Sequence, residues 1–365
     1  MKIKFIVVDI TLKGGIERVV SILSSELVKL GHEIEIISIF KRNISPFYGF
    51  DENIKIKYHS SSHYDSASYL KKLKTFSLIF KASLDIAFGT RKGEVIISLF
   101  PNVSISLGVL KPIFKKINFI ASEHSQYNAH NAFVRLLRRV FYRQSEGVVT
   151  LTRNDKEIFD KVLPKVQTYQ IYNPVSFDIN RSASMESKRI ITIGRLEKVK
   201  GYDFLIKQMV PFFKKYPDWN LDIYGDGPLK EELGLLINTL GLVDKVHLKG
   251  FSTDLQKEIG GGSFYVCSSL TEAFPMSFLE AFSVGMPIIS VDCPVGPREI
   301  VDHQANGLLL CEQIPTFFDA LDLVINDVSM YEKLSSNTTS KVEIFSIDKI
   351  IAKWISVLSD INDKK

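Results

Sequence analysis

The sequence predicts a two-domain α/β protein with parallel sheets, and three observations predict it. At 365 residues the chain is longer than one ordinary core fills. Short runs of apolar and β-branched residues alternate with amphipathic helical stretches, the pattern of strand-helix-strand units whose sheets are buried on both faces. That alternation stops in a Ser- and charge-rich stretch, residues 178–188, and starts again at Arg189. The boundaries follow as 1–175 for an N-terminal domain and 176–345 for a second one.

An apolar share of 45% with 24% charged residues is that of a folded soluble protein. No run of eighteen apolar residues occurs, and the opening MKIKFIVVDI lacks a cleavage region, so it reads as a first strand. Cys267, Cys293 and Cys311 are odd in number and lack metal-ligand spacing. They point to a reducing cytoplasm, no disulfide and no structural zinc. Charge is unevenly divided: residues 1–175 hold 26 Lys and Arg against 15 Asp and Glu, and the remainder 20 against 26. The basic half implies an anionic partner, a membrane surface, a lipid diphosphate or nucleic acid. No basic motif interleaved with aromatics supports the last, so no nucleic acid is expected.

In chain order, residues 3–8 form a buried strand, 9–15 a loop, 16–30 a helix ended by Gly31, and 34–40 a strand. Gly14-Gly15 lets backbone approach whatever sits above the strand ends, though a glycine pair alone is commonly a plain turn. Residues 41–92 are less regular, with a polar patch HSSSHYDSAS and a lysine-rich helix over 69–88 whose Lys71, Lys72 and Lys74 read as a solvated face. Strands resume at 95–99 and 118–121; the loop after the second carries Glu123 and His124, at the edge where ligands of open α/β sheets bind. The segment 131–144, NAFVRLLRRVFYRQ, sets Phe133, Leu136, Leu137, Val140 and Phe141 on a helical period with Arg135, Arg138, Arg139 and Arg143 around them. A domain helix packing its apolar side inward is the expected reading; a basic amphipathic helix on an anionic membrane is the alternative. Strands at 148–152 and 168–171 complete this half.

The second half opens with a strand at 190–193 and GRLEKVKGYDFLI, where Arg195 and Lys200 precede a helix from Tyr202. An Arg fork, a Lys point charge and a helix N-terminus together make a diphosphate clamp; otherwise they are two surface cations. Further strands at 221–224 and 246–248 lead to Gly225-Asp226-Gly227-Pro228 and to Gly250-Phe251. A buried strand at 263–268 then feeds a helix opening at Pro275, closed by Gly285 and Pro287 before a strand at 288–291. Glu272 stands in the loop before that helix and Glu280 about two turns into it, placed to hold different parts of one extended ligand or to be ordinary solvated glutamates. DCPVGPREIV, 292–301, reads as a rigid structural turn.

The stretch Glu272-Ala273-Phe274-Pro275-Met276 through Glu280 resembles the Glu, seven residues, Glu signature of the retaining glycosyltransferases of family 4, with Ala273 where glycine is usual. Gly194, Arg195, Lys200 and Gly201 resemble that family's diphosphate motif, Gly14-Gly15 its glycine loop, Ser122-Glu123-His124 its histidine setting, and Tyr172-Asn173-Pro174-Val175 its interdomain crossover. The resemblance spans nearly the whole chain. It implies a GT-B fold, two Rossmann-like doubly wound parallel-sheet domains facing a central cleft, with the terminal helix 346–365 crossing back onto the first domain.

It also implies a hexose or N-acetylhexosamine moved from a nucleotide-diphosphate sugar, by family frequency a UDP-sugar, to a glycan or polyprenyl-diphosphate-linked acceptor. The setting implied is cell-surface polysaccharide synthesis, in the cytoplasm or peripheral at the inner face of the membrane. Lys200, Arg195 and the helix start near Pro275 are expected to hold the diphosphate, Glu280 the ribose, and Glu272 the transferred sugar. His124 is expected to touch that sugar, Gly250-Phe251 to take the base, and Gly14-Gly15 to lie near diphosphate and acceptor. No Asp-x-Asp triad occurs, so neither a metal site nor a cofactor is expected. A sugar-nucleotide epimerase or hydrolase on the same fold, or a catalytically silent nucleotide-sugar or lipid-binding module, are the other readings.

Overall fold

The structure is a computed structural model that describes residues 1–62 and 69–363. Most of the polar patch 59–68 therefore lies outside the described residues, as do the side chains of Lys71 and Lys72. The chain divides into two compact units, Met1–Pro174 with Ile347–Lys365, and Val175–Ser346.

In the first unit β1 (Lys2–Val7), α1 (Gly15–Lys29), β2 (Glu33–Ser38), β3 (Lys55–Tyr58), α2 (Tyr69–Gly89), β4 (Val95–Ser98) and α3 (Pro101–Leu110) are followed by β5 (Phe119–Glu123), α4 (Ala132–Phe141), β6 (Gly147–Thr150), α5 (Arg153–Val162) and β7 (Thr168–Gln170). The seven strands lie parallel in the order β3-β2-β1-β4-β5-β6-β7. Their apolar runs are buried on both faces, as a sheet covered by helices on each side requires: Ile6, Ile96, Phe119, Ala121 and Val148 share one face and pack with Ile79, Val103, Tyr142 and Phe159, while Phe5, Ile97 and Ile120 are buried on the other. Neither β3 nor α3 is among the sequence expectations. β3 alternates charge with apolar residues at the sheet edge, and α3, PNVSISLGVL, is apolar and small all round, so neither shows a clean period.

The second unit runs β8 (Arg189–Ile193), α6 (Tyr202–Lys215), β9 (Asn220–Tyr224), α7 (Lys230–Thr239), β10 (Val246–Gly250), α8 (Leu255–Ile259), β11 (Phe264–Cys267), α9 (Met276–Ser283), β12 (Ile288–Ser290), α10 (Gly296–Ile300), β13 (Gly307–Leu309), α11 (Phe317–Ile325) and α12 (Val328–Val342). Its six strands are also parallel, in the order β10-β9-β8-β11-β12-β13. The stretch 178–188, expected as a linker, belongs to this unit: Asn180, Ser182 and Ala183 donate backbone bonds to Ser283 and Val284, because the closing turn of α9 leaves carbonyls to satisfy. The last helix, α13 (Ile347–Asp363), returns to the first unit, where Asp360 accepts from the Tyr169 hydroxyl at 3.2 Å.

Both strand orders reverse direction once, between β1 and β4 in the first sheet and between β8 and β11 in the second. Helices leave opposite faces at such a point, so the loops after the two central strands part and leave a crevice at the carboxyl edge, where ligands of open α/β sheets bind.

Candidate functional site

At the reversal in the second sheet, the loop after β8 meets the loop after β11. Lys200 ends a single tight helical turn, and Gly201 follows with φ +63°, a conformation that admits glycine readily. A Cβ on Gly201 would stand 2.5 Å from the Ser268 carbonyl oxygen, so the close approach of the two loops needs this glycine. Val199 accepts from the Leu270 N–H at 2.8 Å, and Lys200 accepts at its carbonyl from the Ser268 hydroxyl at 2.7 Å. These backbone ties bring the Lys200 ammonium onto Glu272 Oε1 at 2.6 Å, and the Ser269 hydroxyl donates to the same oxygen at 2.6 Å. Both charged groups are part-buried, where the pair is less screened than on an open surface.

Glu272 is held from its other side too. Gly296 donates its N–H to the Glu272 carbonyl at 3.1 Å, and a Cβ there would fall 2.5 Å from that oxygen. Val295, just before it, sits at φ 84° and ψ −73°, a γ-turn that a β-branched residue adopts only under strain. The turn 292–301, expected to be structural, thus fixes the Glu272 backbone. Pro275 is the N-cap of α9 and not its first residue; it offers no side-chain cap, and its carbonyl accepts from the Phe278 N–H at 3.0 Å. Ser277 in the first turn of α9 lies 2.8 Å from the Tyr265 hydroxyl, which is 3.2 Å from the Ile193 carbonyl, tying the helix start to the end of β8.

Glu280 is the fifth residue of α9, about one turn along rather than two: at about 3.6 residues per turn even a start at Pro275 puts it only about 1.4 turns in. It is buried, not a solvated glutamate. Ala273, Phe274, Pro275 and Met276 connect the two carboxylates. Arg195 stands on the same loop as Lys200, yet its exposed guanidinium pairs with Glu197 at 2.8 Å, so the structure does not bring it onto Glu272. Gly194 bonds to the Tyr224 carbonyl at 2.9 Å and Gly225 to the Gly250 carbonyl at 2.8 Å, which lines the ends of β8, β9 and β10 side by side with Phe251 next along. Ser268, Ser269, Tyr265 and Gly296 were not legible as site residues. Ser268, Tyr265 and Gly296 act through contacts with residues distant in sequence and Ser269 through Glu272 three residues on; the Pro294-Val295-Gly296-Pro297 turn was the signal for Gly296.

In the first unit, Gly14 is the N-cap of α1, at the end of the loop that follows β1, the strand at the reversal, with no side-chain cap. A Cβ on Gly14 would lie 2.2 Å from Glu17 Oε2, and burial pushes the Glu17 carboxyl above its ordinary range. His124 follows β5, part-buried, with Nε2 3.2 Å from the Ser122 hydroxyl. Burial lowers its pKa to about 4, so the ring is neutral at neutral pH. Glu123 does not stand in the loop as expected; it ends β5, buried, with Oε2 accepting from Arg138 at 2.7 Å and Oε1 from the Tyr142 hydroxyl. Arg138 also donates to the Tyr127 carbonyl at 3.4 Å, and the Tyr127 N–H donates to Asp155 at 2.9 Å. The loop that carries His124 is therefore fastened at both ends.

Comparison with known proteins gives a consistent family. The model described as Glycosyltransferase Family 4 matches residues 13–178, and that described as Glycosyl transferases group 1 matches residues 176–341. An uncharacterized glycosyltransferase of Haemophilus influenzae is 32% identical, covering 98% of this chain and 99% of the relative. An α-1,4-N-acetyl-D-galactosaminyltransferase of Campylobacter jejuni, named for a GalNAc-diNAcBac-PP-undecaprenol substrate, is 26% identical over 100% of this chain and 99% of its own. The pneumococcal O-GlcNAc transferase GtfA, solved with UDP and GlcNAc, shares the fold at a TM-score of 0.80, with 15% identity and 99% of both chains covered.

Proposed function

Since the chain belongs to the glycosyltransferases of family 4, we propose that it moves a hexose or N-acetylhexosamine, with retention, from a UDP-sugar to a hydroxyl of a glycan or lipid-linked acceptor in cell-surface polysaccharide synthesis. The observation that carries this reading is the contact of Lys200 with Glu272 at the reversal of the second sheet, 2.6 Å apart across 72 residues. A cation and a hydroxyl-binding carboxylate side by side match the two ends of a sugar diphosphate. The C. jejuni relative's undecaprenyl-diphosphate substrate and the UDP of the pneumococcal transferase support the substrate classes.

In this reading the donor's diphosphate lies over the uncapped start of α9 with Lys200 beside it. The backbone N–H groups and the ammonium gain as negative charge builds on the departing phosphate oxygen, so they favour the transition state over the bound ground state. Glu272 accepts from hydroxyls of the transferred sugar and Glu280 from the ribose. Arg195 reaches the diphosphate by exchanging Glu197 for phosphate, a small cost because the present pair is exposed. Gly250-Phe251 is assigned to the base, Gly14-Gly15 to the acceptor and His124 to the sugar. A neutral His124 donates or accepts one hydrogen bond without adding a charge beside the leaving group. Retention without a protein nucleophile in these roles means that the acceptor hydroxyl attacks from the face the diphosphate leaves, and the diphosphate takes its proton. The basic balance of the first 175 residues suits an acceptor displayed at an anionic membrane surface.

The test is a hydrolysis and transfer screen of sugar nucleotides followed by kinetics of variants. Glu280→Ala is expected to weaken donor binding and Lys200→Ala to lower turnover; unchanged kinetics in both would remove the assigned site. Product anomers read by NMR distinguish retention from inversion.

A further inference from the structure

The helix α4 carries its apolar ridge outward. Phe133, Leu136 and Val140 are 67%, 57% and 45% exposed, whereas Arg138, one turn along on the opposite face, is 0% exposed. The expected packing is therefore inverted for half of the helix. Val134, Leu137 and Phe141 pack inward around Tyr127, Tyr142 and Phe159, and Arg138 sits among these rings, its guanidinium carbon 4.8 Å from the Tyr127 ring centre and 5.0 Å from that of Phe159. The ion pair with Glu123 locks the helix about its axis, so the outward ridge is a fixed feature of the fold.

Charge along residues 131–144 is of one sign, and Glu146 just beyond them pairs with Lys111 at the end of α3. Arg139 and Arg143 are exposed beside the ridge, Arg139 about a quarter turn around α4 and Arg143 just past its end, and residues 131–144 contain no Asp or Glu. Gly108 of α3 packs against the Phe141 carbonyl, a Cβ there falling 2.4 Å from its oxygen, which sets the end of α3 beside α4. That end adds Val109 and Ile113, 36% and 75% exposed, and the exposed Lys115. Apolar side chains standing in water within a rim of arginines fit a surface with hydrocarbon below and phosphate above. Among the described residues no helix is long and apolar enough to cross a membrane. The match is to lying on one.

We propose that the outer face of α4, with the end of α3, docks the protein on an anionic lipid bilayer, Phe133, Leu136 and Val140 entering between headgroups and Arg139 and Arg143 meeting lipid phosphates. This rests on the proposed function only for the idea that a lipid-linked acceptor makes docking useful. The surface itself needs neither donor nor acceptor.

Flotation of the whole protein with vesicles of phosphatidylcholine, with and without phosphatidylglycerol, at low and high salt tests it. Binding is expected to the anionic vesicles at low salt and to weaken at high salt. Phe133→Ser with Leu136→Ser is expected to lower binding by on the order of tenfold or more. Each of Arg139→Ser and Arg143→Ser is expected to lower it roughly fivefold. Lys92→Ser with Lys165→Ser, twice the charge of either arginine variant lost elsewhere on the unit, is expected to change it far less. Unchanged circular dichroism and unchanged turnover with a water-soluble acceptor would show that the face variants fold. Absence of flotation at low salt, equal flotation of the face variants, or a dimer by light scattering that Phe133→Ser with Leu136→Ser dissociates would overturn the proposal. Loss of all transferase activity with flotation intact would sink the functional reading and leave the docking surface standing.

Discussion

Glu123 and Arg138 meet where almost no solvent reaches either side chain. Each would be costly to bury alone, so the pair is worth most when one member is removed. Arg138→Ala is expected to cost about 3–5 kcal/mol in urea denaturation, and Glu123→Leu with Arg138→Met to recover much of it. A cost below about 1 kcal/mol for Arg138→Ala would mean that Glu123 is satisfied without it. His124 gives a second residue-scale expectation. Its folded pKa of about 4 lies below the unfolded value near 6.5, so the unfolded chain binds the proton first as pH falls. Stability from this residue is fully present above about 6.5, is lost between there and about 4, and amounts to at most about 3 kcal/mol. The melting temperatures of wild type and His124→Asn are therefore expected to converge or cross as pH drops through that window; a constant difference would contradict it. The helical period of 131–144 was plain in the sequence, but not which face goes inward, because that choice depends on a carboxylate fifteen residues earlier on a strand.

At the scale of elements, the site depends on loops pressed together more closely than side chains allow. Gly296→Ala would drive a methyl into the Glu272 carbonyl, 2.5 Å away. It is expected to raise the donor KM by tenfold or more with a smaller effect on melting, since the clash falls on a loop and not on the core; an unchanged KM would show that the 292–301 turn does not set Glu272. Gly201→Ala meets both a positive φ and the Ser268 carbonyl, and is expected to cost at least about 1–2 kcal/mol of stability. The strand-helix alternation made most elements legible, since long buried runs of Ile, Val and Phe have few other uses. The edge strand β3 and the helix α3 were not, one for want of burial and the other for want of a polar face. The Glu272, Lys200 and Gly201 positions were legible through their motif. The serines, Tyr265 and the strained Val295 that fix them were not, because backbone approach between loops leaves little trace in local pattern.

At the scale of the molecule, two parallel sheets each reverse once, and the residues proposed to handle the donor cluster at the second reversal. Protein charge from Lys200 and Arg195 is proposed to do the work a bridging divalent ion does elsewhere, so transfer is expected to persist in EDTA; loss of activity restored by a divalent ion would contradict that. The most direct test of the central claim is the thermal shift that UDP produces in wild type and in Lys200→Ala. Binding to the folded state stabilises by about 2.7 kcal/mol at a ligand concentration of 100 Kd. UDP is expected to raise the wild-type melting temperature by several degrees and that of Lys200→Ala by little at the same concentration, whereas equal shifts would show that the nucleotide does not sit at the Lys200–Glu272 pair.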